Sequence, residues 1–148
     1  MERKLLIIAM VMMLPALAFS QCRKFTKNKC MPALGEYVPN DNFNSAILVP
    51  GDEAELMMTF YAGQDYRVMV CTQEILGEVA YTVQNQDGEQ VFDSKSAPGP
   101  FLDFSVANTQ QLKMIISVPE STTTTGLVHE GCATVLVGYK DKAGTAVN

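Results

Sequence analysis

The chain has 148 residues and sets 11 basic side chains against 16 acidic ones, a formal net charge of −5. Without residues 1–20, which read as a leader, 128 residues remain, with 9 basic and 15 acidic side chains and a net charge of −6. Residues 21–30 alone hold +4, so the body from 31 to 148 stands at −10. Such a body repels nucleic acid and anionic membrane surfaces, so no nucleic-acid partner is expected, and the length suits one domain with a proper core.

In chain order the leader comes first. Arg3 and Lys4 form a short positive region, and "LLIIAMVMMLPALAF" follows as an apolar run. Ala18 and Ser20 are small residues at the two positions signal peptidase reads, which predicts a signal peptide over 1–20 and cleavage before Gln21. The run contains Pro15 and is shorter than the roughly 20 residues a spanning helix needs, so no transmembrane segment remains after cleavage. The product is expected to be secreted or periplasmic. A bacterial lipoprotein would carry its lipid on Cys22. Gln21 stands where a small residue is expected, however, and Phe19 where leucine is usual.

The stretch "QCRKFTKNKC" (21–30) sets Arg23, Lys24, Lys27 and Lys29 between two cysteines. Its charge could meet an acidic partner, and it reads first as a solvated tail. The mature chain has four cysteines, Cys22, Cys30, Cys71 and Cys132. An even count in an exported protein predicts two disulfides. Spacings of 8, 41 and 61 with one histidine do not fit a zinc site. Residues 21–44 are thus expected to form a disulfide-tethered N-terminal segment, followed by a domain over 45–148.

From there the dominant period is two. "ELMMTFY" (55–61) aligns Leu56, Met58 and Phe60, and "YRVMVC" (66–71) aligns Tyr66, Val68 and Val70. "EVAYTVQ" (78–84) aligns Val79, Tyr81 and Val83, and "FLDFSV" (101–106) aligns Leu102, Phe104 and Val106. "QLKMIISV" (111–118) offers Leu112, Met114, Ile116 and Val118; "CATVLVGY" (132–139) offers Ala133, Val135, Val137 and Tyr139. Shorter strands are expected at "AILV" (46–49) and "EQVF" (89–92). Such alternation marks half-buried strands. Ala62-Gly63-Gln64-Asp65 reads as a hairpin turn, and Asn85-Gln86-Asp87-Gly88 holds an Asp-Gly pair suited to positive φ. No stretch of the mature chain sustains a helical period. About eight strands and no helix predict an all-β fold, an antiparallel, jelly-roll-like β-sandwich.

The pairing expected from phase is Cys71–Cys132 and Cys22–Cys30. Cys71 and Cys132 both lie opposite the apolar stripes of their strands, so they can meet on an outer sheet face if those strands are neighbours. Cys22 and Cys30 are close in sequence. The competing map ties Cys22 or Cys30 to Cys71 or Cys132.

"DEAELMMTFYAGQDYRVMV", "VAYTVQNQDGEQVFDS" and "DFSVANTQQLKMIISV" together resemble the bacterial pre-peptidase C-terminal domain, through Ala62, Gly63, Tyr66, Asp87, Gly88 and Phe92, over roughly 45–140. The overall pattern is also similar to that of small secreted proteins of Bacteroides-like bacteria. The resemblance implies a jelly-roll-like sandwich that assists secreted enzymes or binds surfaces without chemistry of its own. No peptidase domain precedes it in this chain, so an accessory role in cis is not expected.

Catalytic arrangements are poorly supplied. Any triad must use His129, in a loop beside Glu130 and Gly131, and no Gly-x-Ser-x-Gly, zinc-protease or phosphate-loop motif occurs. The loops "NDNFN" (40–44) and "NQDGE" (85–89) gather oxygen ligands that calcium would accept, but Asn and Asp are also ordinary turn residues. No cofactor or metal is expected. Tyr37, Phe43 and Tyr61 are the aromatic candidates for stacking on a sugar. The expected function is a non-catalytic binding or accessory module for a protein or glycan partner. The alternative is a structural or envelope-assembly component that associates through edge strands.

Overall fold

The computed structural model describes residues 16–40, 43–122 and 126–141. The leader up to residue 15, Asp41 and Asn42 of the Asn/Asp-rich loop, residues 123–125 of the threonine tract and everything after Asp141 lie outside the described residues.

Strands form where the sequence alternates. In chain order they are β1 (Val38–Pro39), β2 (Asn44–Leu48), β3 (Glu53–Phe60), β4 (Gln64–Thr72), β5 (Ala80–Gln84), β6 (Gln90–Asp93), β7 (Leu102–Ser105), β8 (Gln110–Ser117) and β9 (Gly131–Asp141). They make two antiparallel sheets. One runs β9–β4–β7, with β1 and β2 pairing one after the other along the remaining edge of β9; the other runs β3–β8–β5–β6. The expected apolar stripes all turn inward between the sheets, with Phe60, Val68, Val83, Val106 and Met114 almost wholly buried. Phe60, Tyr66 and Phe104 pack with ring centroids 5.0–5.9 Å apart. This is a β-sandwich, as the alternation predicts.

The turn at Ala62-Gly63 departs from expectation. The strands it joins lie in different sheets, so it is a corner between layers and not a hairpin. Its backbone groups bond elsewhere: Gly63 N–H donates to the Val106 carbonyl (2.9 Å) and Ala62 N–H to Thr109 Oγ1 (3.1 Å). Tyr66 Oη accepts the Tyr61 N–H at 3.0 Å and holds the corner from inside. Gly63 takes a φ of 85°, open to glycine and costly for other residues. The β5–β6 connection is a true hairpin turning at Gly88.

The larger departure is a third layer. A helix, α1 (Ala16–Phe25), runs on through a π-helical turn (Thr26–Cys30) and a 3-10 turn (Met31–Leu34). It spans the expected cleavage position and lies over the outer face of the five-stranded sheet. The chain from Gln21 onward therefore contains helix where none was expected, and the decapeptide is neither a solvated tail nor a self-closed loop. Cys22, Thr26, Cys30 and Leu34 form its buried row, each four residues from the last. In an ideal α-helix a four-residue spacing drifts by about 40° per step. The wider π turn takes out part of that drift and keeps the row on the sheet. Beneath it, Leu34, Tyr37, Met69 and Leu136 form a second apolar cluster. Gly138 permits the close approach, since a Cβ there would lie 2.7 Å from that of Tyr37.

Among the described residues no helix is long and apolar enough to cross a membrane.

Candidate functional site

Both disulfides join the helical strap to the sheet. Cys22 pairs with Cys132 and Cys30 with Cys71, at Cα separations of 5.4 and 5.8 Å. The pairing expected from phase is thereby corrected, and the competing map holds. Cys71 and Cys132 do lie on neighbouring strands and share the outer face, but the register sets Cys71 opposite Thr134. Cys132 is two residues away along β9, on a diagonal of roughly 7–8 Å, too wide for a bridge. In the strap, eight residues of helical rise put about 12 Å between Cys22 and Cys30, which also forbids a bond. Each strap cysteine instead stands over a sheet cysteine. The Cys22 sulfur, taken up by Cys132, is not available for lipid. Two such bonds are the chemistry of an extracytoplasmic, oxidising compartment.

Between the two bridges runs a buried chain of hydroxyls. Thr26 Oγ1 donates to the Cys22 carbonyl (2.9 Å) and meets Thr134 Oγ1 at 2.7 Å, while Thr134 meets Ser45 Oγ at 2.8 Å. A hydroxyl has one proton. With the proton of Thr26 spent on Cys22, Thr134 donates to Thr26 and Ser45 to Thr134. Strap, β9 and β2 are thus joined in one direction. At the far end, the Arg67 guanidinium lies between the Tyr37 and Phe101 rings, 4.6 Å from each centroid, and grips both carboxylate oxygens of Asp103 (2.8 and 2.6 Å). Those hydrogen bonds hold the Asp103 carboxyl below its ordinary value and raise Arg67.

The strap's outward side is its charged one. Arg23, Lys24, Lys27 and Lys29 are all exposed and none makes an ion pair among the described residues, whereas Arg67, Lys113 and Lys140 are paired with Asp103, Glu55 and Glu36.

A second feature lies at one side of the sandwich. There the free edge of β2 faces the free edge of β3, eight residues long and paired only with β8. The gap between them is open, so Leu56 and Met58 point inward yet stay half-exposed. A cleft of about 160 Å³ is floored by Leu48, Leu56, Ile116 and Val135. It continues past Val135 into one of about 390 Å³ lined by Met58, Phe60, Tyr66 and Val137. Large apolar side chains stand exposed along the same edges: Val38, Ile47, Met57 and, just beyond β3, Tyr61.

The remaining candidates resolve individually. His129 is half-buried beside Ile75, Pro119 and Glu120. It has no hydrogen-bonded hydroxyl or carboxylate among the described residues to orient it as a base. A second exposed apolar set, Ile75, Leu127 and Val128, lies beside it. In "NQDGE" the Asn85 and Glu89 oxygens are used locally: Asn85 Oδ1 accepts the N–H groups of Asp87 (3.0 Å) and Glu89 (2.9 Å), and Asn85 Nδ2 donates to Glu89 Oε2 (3.1 Å). This is a turn built by its own side chains. Of the stacking aromatics, Tyr37 is buried under Arg67 and Phe43 packs beneath the strap, which leaves Tyr61 exposed.

The protein is a β-sandwich carrying a disulfide-bonded helical strap. No protein-family model matches the sequence, and no curated protein matches it. The pre-peptidase C-terminal resemblance therefore stands as a likeness of strand-and-turn pattern. Among solved structures, the chain is similar to PliG of Aeromonas hydrophila, a periplasmic lysozyme inhibitor of g-type lysozyme. Identity is 8% and the TM-score 0.47, over 71% of this chain and 89% of that one. Likeness at this level brings no residue role and no partner with it.

Proposed function

We propose that this is an exported, non-catalytic binding module, matured by cleavage before Gln21 and active in the periplasm or outside the cell. Its partner is a protein that offers an extended segment to the cleft between β2 and β3. The observation that carries this reading is the open, apolar edge itself. An eight-residue strand with unpaired backbone on one side can accept another strand, and alternate side chains of that strand would fill the cleft over Leu56 and Val135. Long exposed edges with large apolar side chains are uncommon, because they recruit other chains unless a partner covers them. A glycan is less well served, since one exposed tyrosine, Tyr61, supplies the only flat ring among the three aromatic candidates.

The test is selection of displayed ten-residue peptides against the mature protein. Binders should carry apolar residues at alternate positions, and Met57→Lys, which sets a charge on the edge, should weaken them about tenfold or more with little change in melting temperature. Binders without alternation, or equal binding by the variant, would remove the reading. A second reading rests on the same edge: self-assembly as a structural component. Sedimentation separates the two. A monomer across the accessible concentration range supports the binding module; polymers abolished by Met57→Lys support assembly.

A further inference from the structure

We propose that the outward face of the strap is a second docking surface, for an acidic patch on a folded protein. It depends on different residues from the edge cleft. A run of four cations is ordinarily a solvated face, and three observations set this one apart. First, it is rigid: bridges at Cys22 and Cys30 and the buried Thr26 hydroxyl hold both ends and the middle to the sheet. A partner then has little chain ordering to offset on binding. Second, the charges are unspent. Arg23, Lys24, Lys27 and Lys29 are exposed and without ion pairs among the described residues, although the body is rich in carboxylates and pairs three of its four described cations, Arg67, Lys113 and Lys140 but not Lys95.

Third, size and sign select the partner. The seven helical residues 23–29 carry the four charges over about 9 Å, close to one Debye length at physiological salt. Beyond that distance lies a body of net charge −10. An extended polyanion or a flat anionic membrane would meet the repelling body as well as the ridge. A compact acidic patch meets the ridge alone.

The experiment sets the photoreactive residue p-benzoylphenylalanine at position 28, in place of exposed Asn28, in the full chain produced in its native cells. Irradiation should give a discrete adduct with one protein, and the crosslinked peptide should map to an Asp/Glu-rich surface. Yield should fall about tenfold or more in R23Q/K24Q/K27Q/K29Q, since four exposed ion pairs together contribute about that much affinity. It should stay unchanged in K95Q/K113Q, which removes two cations elsewhere. Peptide mapping for the Cys22–Cys132 and Cys30–Cys71 bonds shows whether the neutralised strap is still seated; if it is not, K24Q/K27Q serves in its place, with about a threefold loss expected. No adduct, an adduct of equal yield after neutralisation, or one that carries lipid or glycan in place of peptide would overturn the proposal.

Discussion

Thr134 sits where three parts of the molecule meet, and its hydroxyl is fully buried between those of Thr26 and Ser45. Valine would keep its shape and break the chain at its centre. Thr134→Val should cost about 1–2 kcal/mol, the usual range for a buried hydroxyl bond lost in a dry site. Thr26→Val removes the same Thr26–Thr134 bond, so the double variant should lose less than the sum of the singles in denaturant unfolding. Tyr81 gives a pH signature. Burial, and to a smaller degree the nearby Asp103 charge, push its phenol up to about 12, and its hydroxyl donates to the Pro100 carbonyl at 2.9 Å. The unfolded chain ionises this residue near pH 10, before the folded one does. The stability tied to the neutral phenol is therefore intact below pH 10 and lost as the pH rises toward 12. The difference between wild type and Tyr81→Phe, followed by tyrosinate absorbance, should titrate near 12, and the variant should lack that part of the alkaline destabilisation.

At the scale of elements, the strap is the part whose stability depends most on covalent bonds. Its bridges span 110 and 41 residues of sequence. In the chain-entropy model they contribute about 5 and about 4 kcal/mol singly, and less than the sum together because the loops overlap. Cys30→Ala/Cys71→Ala, with Cys22–Cys132 intact, should thus lower unfolding stability by less than the single-bridge figure of about 4 kcal/mol. The two sheets were legible because each strand faces one core, so period two appears directly in Leu56–Met58–Phe60 and Leu112–Met114–Ile116. The strap was not legible, because its buried row is only Cys22, Thr26, Cys30 and Leu34, two of them cysteines and one a threonine, at a four-residue spacing that no regular helix keeps. A trace did exist on the sheet. The outward phase of β9 reads Cys132, Thr134, Leu136 and Gly138 before Lys140, and β4 adds Met69 and Cys71 beyond Arg67, so the middle of that face carries no charge. A strand that is apolar on both faces is buried on both, so something had to cover this one. The corner at Gly63 was misread for a related reason. Turn chemistry says that the chain reverses, while the choice between hairpin and layer change depends on Val106 and Thr109, more than forty residues downstream.

For the molecule as a whole, the strap changes what the basic decapeptide is. Loose, it would be a solvated tail on an acidic domain. Bonded across the sheet, it becomes a fixed cationic ridge on one outer face, while the open β2–β3 edge lies at the side of the sandwich. Both proposed binding surfaces depend on that frame, the ridge directly. The bond pattern that makes it can be read without any knowledge of partners. Trypsin cleaves after Arg23, Lys29, Arg67, Lys95, Lys113 and Lys140, which leaves each cysteine in its own peptide. Digestion of the exported protein, denatured but not reduced and kept acidic before cleavage to prevent exchange, should give 21–23 linked to 114–140 and 30–67 linked to 68–95. A link between 21–23 and 30–67 would contradict the account, returning the basic stretch to a self-closed loop and leaving the outer face of β9 uncovered.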